Sequence, residues 1–115
     1  MKNEIIDFIK NHPCTSFVEL ERFISGFSGE LGLLLGEDDY NILLWTVSVE
    51  AADALKELLQ KEVIYLSSCS PLIYMVDGKG LNLPYAKRRV HYKEPHWLPI
   101  TMSTIRYHSK RSKYE

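Results

Sequence analysis

The sequence predicts an α+β domain: three helices and a small antiparallel sheet in the order helix, helix, strand, helix, strand, strand, followed by a basic C-terminal arm. Three observations carry that expectation. The chain has 115 residues, 45% of them hydrophobic, enough for one core and too few for two lobes with a cleft between them. Apolar residues recur at steps of three and four in three segments and gather into short β-forming runs elsewhere. Charge is also partitioned along the chain. Residues 1–78 hold 5 basic and 13 acidic residues, a net of −8, and residues 79–115 hold 9 basic and 2 acidic, a net of +7, although the whole chain carries only −1. The expected organisation is a domain over 1–78 and a basic, aromatic extension over 79–115 that packs on it or extends from it. Such an asymmetry points to a polyanion partner or to one half docking on the other.

Each element has its own local reason. From Asn3 to Asn11, Ile5, Ile6, Phe8 and Ile9 line one face of a helix among Glu4, Asp7 and Lys10; Asn3 is its expected cap, and His12-Pro13 ends it because the residue before proline avoids the α region. Ser16-Phe17-Val18-Glu19 reads as a capping box opening a second helix, with Phe17, Leu20, Phe23 and Ile24 on its core face and Ser25-Gly26 at its end. Gly26 to Tyr40 is broken by four glycines and closes on Glu37-Asp38-Asp39, so an irregular, packed connection is expected, with Glu30 to Leu35 as a short helical turn in the alternative. Asn41 to Val47 is a buried strand. Ser48 caps a third helix with Glu50 in its first turn, running to about Lys61 with Val49, Ala52, Leu55, Leu58 and Leu59 inside. Val63 to Ser67 and Leu72 to Val76, separated by Ser68-Cys69-Ser70-Pro71 and closed by Asp77-Gly78-Lys79-Gly80, read as an antiparallel hairpin.

The stretch Ala54-Leu55-Lys56-Glu57-Leu58-Leu59-Gln60-Lys61-Glu62-Val63-Ile64-Tyr65-Leu66, followed by Pro71-Leu72-Ile73-Tyr74-Met75-Val76, resembles the junction of winged helix-turn-helix domains, where the third helix ends in a leucine pair and runs into the β wing. Glu4-Ile5-Ile6-Asp7-Phe8-Ile9 and Ser16-Phe17-Val18-Glu19-Leu20 look like the first two helices of that superfamily. The resemblance spans residues 3 to 78 and rests on core positions and turns. It departs at Gly26 to Val47, where a standard helix-turn-helix has a turn of a few residues. What the resemblance implies is a small DNA-binding transcriptional regulator whose third helix enters the major groove.

The chemistry of that helix opposes the implied role. Its exposed face offers Glu50, Asp53, Lys56, Glu57, Gln60 and Lys61, and carboxylates aimed at a duplex that carries one negative charge per about 1.7 Å disfavour binding. Lys56, Gln60 and Lys61 are its only base or phosphate readers. The other candidate contacts follow residue 78: Lys79, Lys87, Arg88, Arg89, Lys93, Arg106, Lys110, Arg111 and Lys113, interleaved with Tyr92, Trp97, Tyr107 and Tyr114 as in segments that bind nucleic acid. Two readings stay open. In one, these cations contact DNA. In the other, Tyr85, Val90, Tyr92, Trp97, Leu98 and Ile100 wrap the domain, the cations face its acidic helices in cis or in a homodimer, and the protein is an interaction module. Lys87 to Lys93 is expected in an ordered strand or arm, and Ser109 to Glu115 is expected to fray.

Other function classes are thin. No apolar run approaches the ~20 residues of a membrane span. The opening Met1-Lys2-Asn3-Glu4 has no export-signal pattern, because Asp7 and Lys10 interrupt the apolar stretch, so a cytoplasmic location is expected. Cys14 and Cys69 stand 55 positions apart and read as small buried or near-surface hydrophobes rather than a disulfide or zinc framework. His91, His96 and His108 match no metal-ligand spacing, and Glu37, Asp38 and Asp39 lack the alternation of a calcium loop. There is no phosphate loop, nucleophile elbow or dinucleotide fingerprint. Neither an enzyme nor a cofactor, metal or small-molecule substrate is expected.

Overall fold

The computed structural model describes residues 1–35, 41–88 and 90–105. Its element order is α1 (Lys2–Asn11), α2 (Phe17–Phe23), β1 (Leu31–Leu34), β2 (Ile42–Val47), α3 (Val49–Gln60), β3 (Tyr65–Ser68), α4 (Pro71–Asp77), β4 (His96–Trp97) and β5 (Ile100–Ser103). The first two helices, β2, α3 and β3 lie where the residue pattern puts them. At the start of α1 the N-cap is Met1 without a side-chain bond, so the expected Asn3 cap is displaced by two residues. The capping box of α2 forms: the Ser16 hydroxyl accepts from the Glu19 amide and the Glu19 carboxylate accepts from the Ser16 amide.

The winged helix-turn-helix topology is not present, and three local facts overturn it. Within the segment between α2 and α3, Leu31–Leu34 is neither irregular nor a helical turn. It supplies β1, which pairs antiparallel with β2 from Leu31 opposite Val47 to Leu33 opposite Trp45, with a bulge before Leu34. The second arm of the expected hairpin is a helix. Ser70 caps α4 by accepting the Leu72 amide, Pro71 occupies the first turn where its missing N–H costs nothing, and Gly78 closes it in the left-handed conformation at φ +89°. These end signals outweigh the β preference of Leu72 to Val76. Third, β3 takes its partner from far along the chain: Tyr65 to Ser68 pair antiparallel with Ser103 to Ile100.

Two sheets result. One has the order β1-β2-β4, with β4 parallel to β2 through Ile42 opposite His96 and Leu43 opposite Trp97; the other is β3-β5. Thr15 bridges the free edge of β5, exchanging both backbone bonds with Met102 at 2.9 and 2.8 Å. The segment after residue 78 is thus built into both sheets, and Trp97, Leu98, Ile100 and Met102 belong to the core.

Trp45 sits at the centre of that core, fully buried. Phe17 stacks on it at 6.0 Å, Tyr74 and Trp97 approach at 5.3 and 6.1 Å, and Tyr74 meets Trp97 edge-on at 5.1 Å and 87°. Such pairs add about 0.5–1.5 kcal/mol each beyond their buried area. Both indoles are satisfied: Trp45 donates to the Glu21 carboxylate at 3.0 Å and Trp97 to the Leu44 carbonyl at 3.2 Å.

Candidate functional site

Two surfaces stand out, and the first is α4. A seven-residue helix buries only Tyr74, whose hydroxyl accepts from the Phe17 amide at 3.2 Å and donates to the Ile100 carbonyl at 2.6 Å. That anchor turns the rest of the helix outward. Leu72, Ile73, Met75 and Val76 are 63, 39, 66 and 86% exposed. Leu72, Met75 and Val76 stand at i, i+3 and i+4 and so form one stripe. From Ser70 to Val76 no side chain is charged. At the far end the Arg22 guanidinium donates to the Asp77 carbonyl at 2.9 Å, and the Ser16 hydroxyl donates to the Asp77 carboxylate at 2.7 Å.

Grooves flank this helix on two sides. One of about 470 Å³ runs past Cys69, Pro71, Ala86, Lys87 and Leu98, and another of about 350 Å³ past Tyr74, Met75, Lys79, Gly80 and Trp97; the half-exposed Tyr85 lines both. Burial pushes the Cys69 thiol up to about 11, helped by the nearby Cys14 and Asp77, which makes it an inert wall rather than a nucleophile.

The second surface is the connection from Tyr85 to His96, none of whose described residues before β4 lies in a helix or regular strand. Its structure comes from one side chain. The Tyr92 hydroxyl accepts the backbone amides of Lys87 and Arg88 at 3.2 and 3.3 Å and donates to the Arg88 carbonyl at 3.0 Å. The Tyr92 ring stacks on His96 at 3.8 Å, and its carbonyl accepts from the Asn41 side chain at 2.8 Å.

No family model, curated protein or solved structure matches the chain. The site therefore rests on geometry alone.

The expected contact residues are dispersed. Lys56 and Gln60 are exposed on α3 and Lys61 caps its end. Lys61 reaches Glu57 at 3.5 Å, and Lys2 of α1 bonds the same carboxylate, holding it below its usual pKa chiefly through that hydrogen bond. Lys79 bonds Glu21 at 2.6 Å and lies over the Trp45 ring at 5.7 Å, so it serves the core beside α2. Lys87, Arg88 and Lys93 are exposed on the Tyr92 loop, with the Lys87 and Arg88 amides on the Tyr92 hydroxyl. Arg89, Arg106, Lys110, Arg111 and Lys113 lie outside the described residues, as do the acidic run Glu37 to Asp39 and the frayed end expected over 109–115.

Among the described residues no group of three or more His, Cys, Asp or Glu side chains could hold a metal ion, and no helix is long and apolar enough to cross a membrane. The α4 stripe is hidden by its own composition, since Leu72 to Val76 reads as the second strand of a hairpin. Ser70-Pro71 before it and Gly78 after it were the signal that could have exposed a short helix.

Proposed function

We propose that this chain is a protein-interaction module that works through α4, and that the partner on this face is a second copy of itself. The observation that carries the reading is the stripe of Leu72, Met75 and Val76, held outward by the buried Tyr74. Large apolar side chains clustered in water are the usual mark of an interaction site, whereas scattered ones are not. The absence of charge from Ser70 to Val76 favours self-association. A charged partner finds nothing to pair with along the stripe, and a copy of the chain buries it without desolvating an unpaired ion.

Area sets the strength. The exposed parts of the four α4 side chains amount to on the order of 400 Å² per copy, so a two-fold contact stays below the roughly 1,200 Å² at which standard interfaces begin. A reversible dimer with a dissociation constant of about 10–100 μM is expected, equivalent to about −7 to −5.5 kcal/mol.

Sedimentation velocity across a concentration series tests this. The wild-type chain shifts from monomer to dimer through the micromolar range, and Met75→Ser with Val76→Asp stays monomeric with an unchanged melting temperature. A wild-type chain that is monomeric at millimolar concentration, or a variant that dimerises equally, overturns the proposal.

A further inference from the structure

The strand β3 leaves one of its edges open. On its inner side the Cys69 amide donates to the Pro99 carbonyl at 3.0 Å, just past the last ladder pair. Met102, the ladder partner of Leu66, turns its own backbone bonds the other way, to Thr15 at 2.9 and 2.8 Å. Backbone groups alternate in direction along an antiparallel pair. Tyr65 and Ser67 therefore face β5, and the amides and carbonyls of Leu66 and Ser68 face outward. Among the described residues nothing bonds these four groups. They stand in a row at the two-residue repeat of a strand.

A strand edge in water is normally guarded by a lysine, a proline or a bulge, and β3 has none of them. No side chain from Val63 to Val76 is charged, and Tyr65 to Ser68 pair in unbroken register. The edges of the other sheet differ: β1 carries a bulge between Leu33 and Leu34, and β4 is bridged by Tyr85 at Trp97. The open edge of β3 also leads into a cavity. Ser68 is both its last residue and the first wall of the groove of about 470 Å³ that continues past Pro71, Tyr85, Leu98 and Pro99. Lys87 is the one charged residue lining that groove.

We infer that the outer edge of β3 and this groove together bind an extended, uncharged segment of another protein, whose backbone pairs with Leu66 and Ser68 while one large apolar side chain enters the groove. In such strand addition the main-chain bonds supply affinity and the side-chain pocket supplies specificity. Charge matching selects the segment, because a charged side chain laid along β3 is desolvated without a counter-charge. A second copy of this chain is the poorer occupant. In a two-fold pairing centred on Ser67 its strand stops at Tyr65, opposite Cys69, and its chain turns away at Glu62 with φ +56°. The groove then stays unfilled. Leu72, Met75 and Val76 take no part, so the site is independent of the α4 stripe.

The test uses the full chain carrying Met75→Ser and Val76→Asp, which silences the α4 face. The probes are capped hexapeptides of alternating threonine and valine that end, at either terminus, in leucine, alanine or glutamate. Titration followed by amide NMR is expected to saturate with a leucine peptide below about 1 mM, to move the Leu66, Ser68 and Ala86 resonances, and to slow hydrogen exchange at Leu66 and Ser68. Alanine in place of the leucine weakens binding about tenfold. N-methylation of one alternate set of peptide amides weakens it about tenfold or more, and methylation of the other set leaves it unchanged. Ser68→Pro removes one outward donor without touching the ladder to β5 and weakens binding about two- to tenfold.

Four results overturn the inference. They are no binding of any peptide at about 1 mM, equal binding of the alanine or glutamate peptides, indifference to methylation of either amide set, and resonance shifts that spare Leu66 and Ser68. A fifth assigns the edge to a second copy and likewise refutes it: the chain with the silenced α4 face dimerises in sedimentation, and adding Ser68→Pro makes it monomeric.

Discussion

Tyr74 donates its hydroxyl proton to the carbonyl of Ile100 at 2.6 Å, across 26 residues of chain. The same oxygen accepts the first-turn amide of α2 at Phe17, so one buried atom joins α2, α4 and β5. Tyr74→Phe preserves the ring packing against Trp45 and Trp97 and leaves an amide without its partner. The expected loss is about 1–3 kcal/mol, seen as a fall of roughly 5–15 °C in the thermal midpoint for a domain of this size. An unchanged midpoint rejects this account of α4's anchorage.

Alkaline pH acts on the same region. Burial, the largest cause, holds the Tyr74 phenol well above its usual value near 10.0 and raises the Cys69 thiol from 9.0 to about 11. Both groups keep their protons more tightly when folded than when unfolded. The stability they contribute is therefore complete below their unfolded values and is lost as pH rises toward and through the folded ones. Urea midpoints are expected to fall between about pH 9 and pH 11, and the combined Tyr74→Phe and Cys69→Ala variant shows a shallower fall than the wild type. An identical slope in the two proteins contradicts the assignment.

Two glycines differ in why they are needed, and alanine separates the reasons. A Cβ at Gly29 meets the Ser48 Cα and amide nitrogen at 2.5 Å and the Val47 carbonyl at 2.6 Å, all backbone. Relief requires moving the N-terminus of α3, so Gly29→Ala costs about 3 kcal/mol or more. At Gly78 the space is open but φ is +89°, and Gly78→Ala costs about 1–2 kcal/mol from the left-handed backbone alone. Gly78→Asn recovers part of that loss, whereas no small residue rescues Gly29. Chemical denaturation of the three variants checks both statements.

Ser16 combines two roles in one hydroxyl, accepting from Glu19 and donating to Asp77. Ser16→Ala is expected to cost about 1–2 kcal/mol, at the upper end for a lost cap. A double-mutant cycle with Asp77→Ala yields a coupling of about 0.5 kcal/mol or more. Zero coupling means that the cap alone accounts for the loss.

What the sequence reveals of this fold follows the range of the interactions. The capping box at Ser16 and Glu19, the Ser48 cap of α3 and the apolar run of β2 act within a few residues, and all are legible. Thr15 pairing with Met102 and Tyr65 with Ser103 join residues that carry no mutual mark, because strand partners are chosen by packing against the whole core. Leu31 to Leu34 is a different failure: Gly32 between leucines supports neither a helix nor a strand locally, and β2 decides for it. At α4 two kinds of local signal compete, and the helix-end residues Pro71 and Gly78 outweigh the β preference of Ile73, Tyr74 and Val76. Of the candidate contact residues, Lys56 and Gln60 share the exposed face of α3 as their spacing implies, whereas the Lys87 and Arg88 backbone is held by the hydroxyl of Tyr92, a residue that the composition presents as one ring among many.

The pairing of β5 with both β3 and Thr15 orders events during synthesis. Until the stretch from Ile100 to Ser103 has left the ribosome, Tyr65 to Ser68 has no neighbour, Thr15 has no bridge, and the Tyr74 hydroxyl has no carbonyl to bind. A nascent chain paused before that point holds its first three helices and the β1-β2 ribbon with an open flank, and non-local closure of this kind folds slowly. Its native state is assembled only once residues 100–103 are free to pair, because Thr15, Tyr65 to Ser68 and the Tyr74 hydroxyl all take their partners from β5.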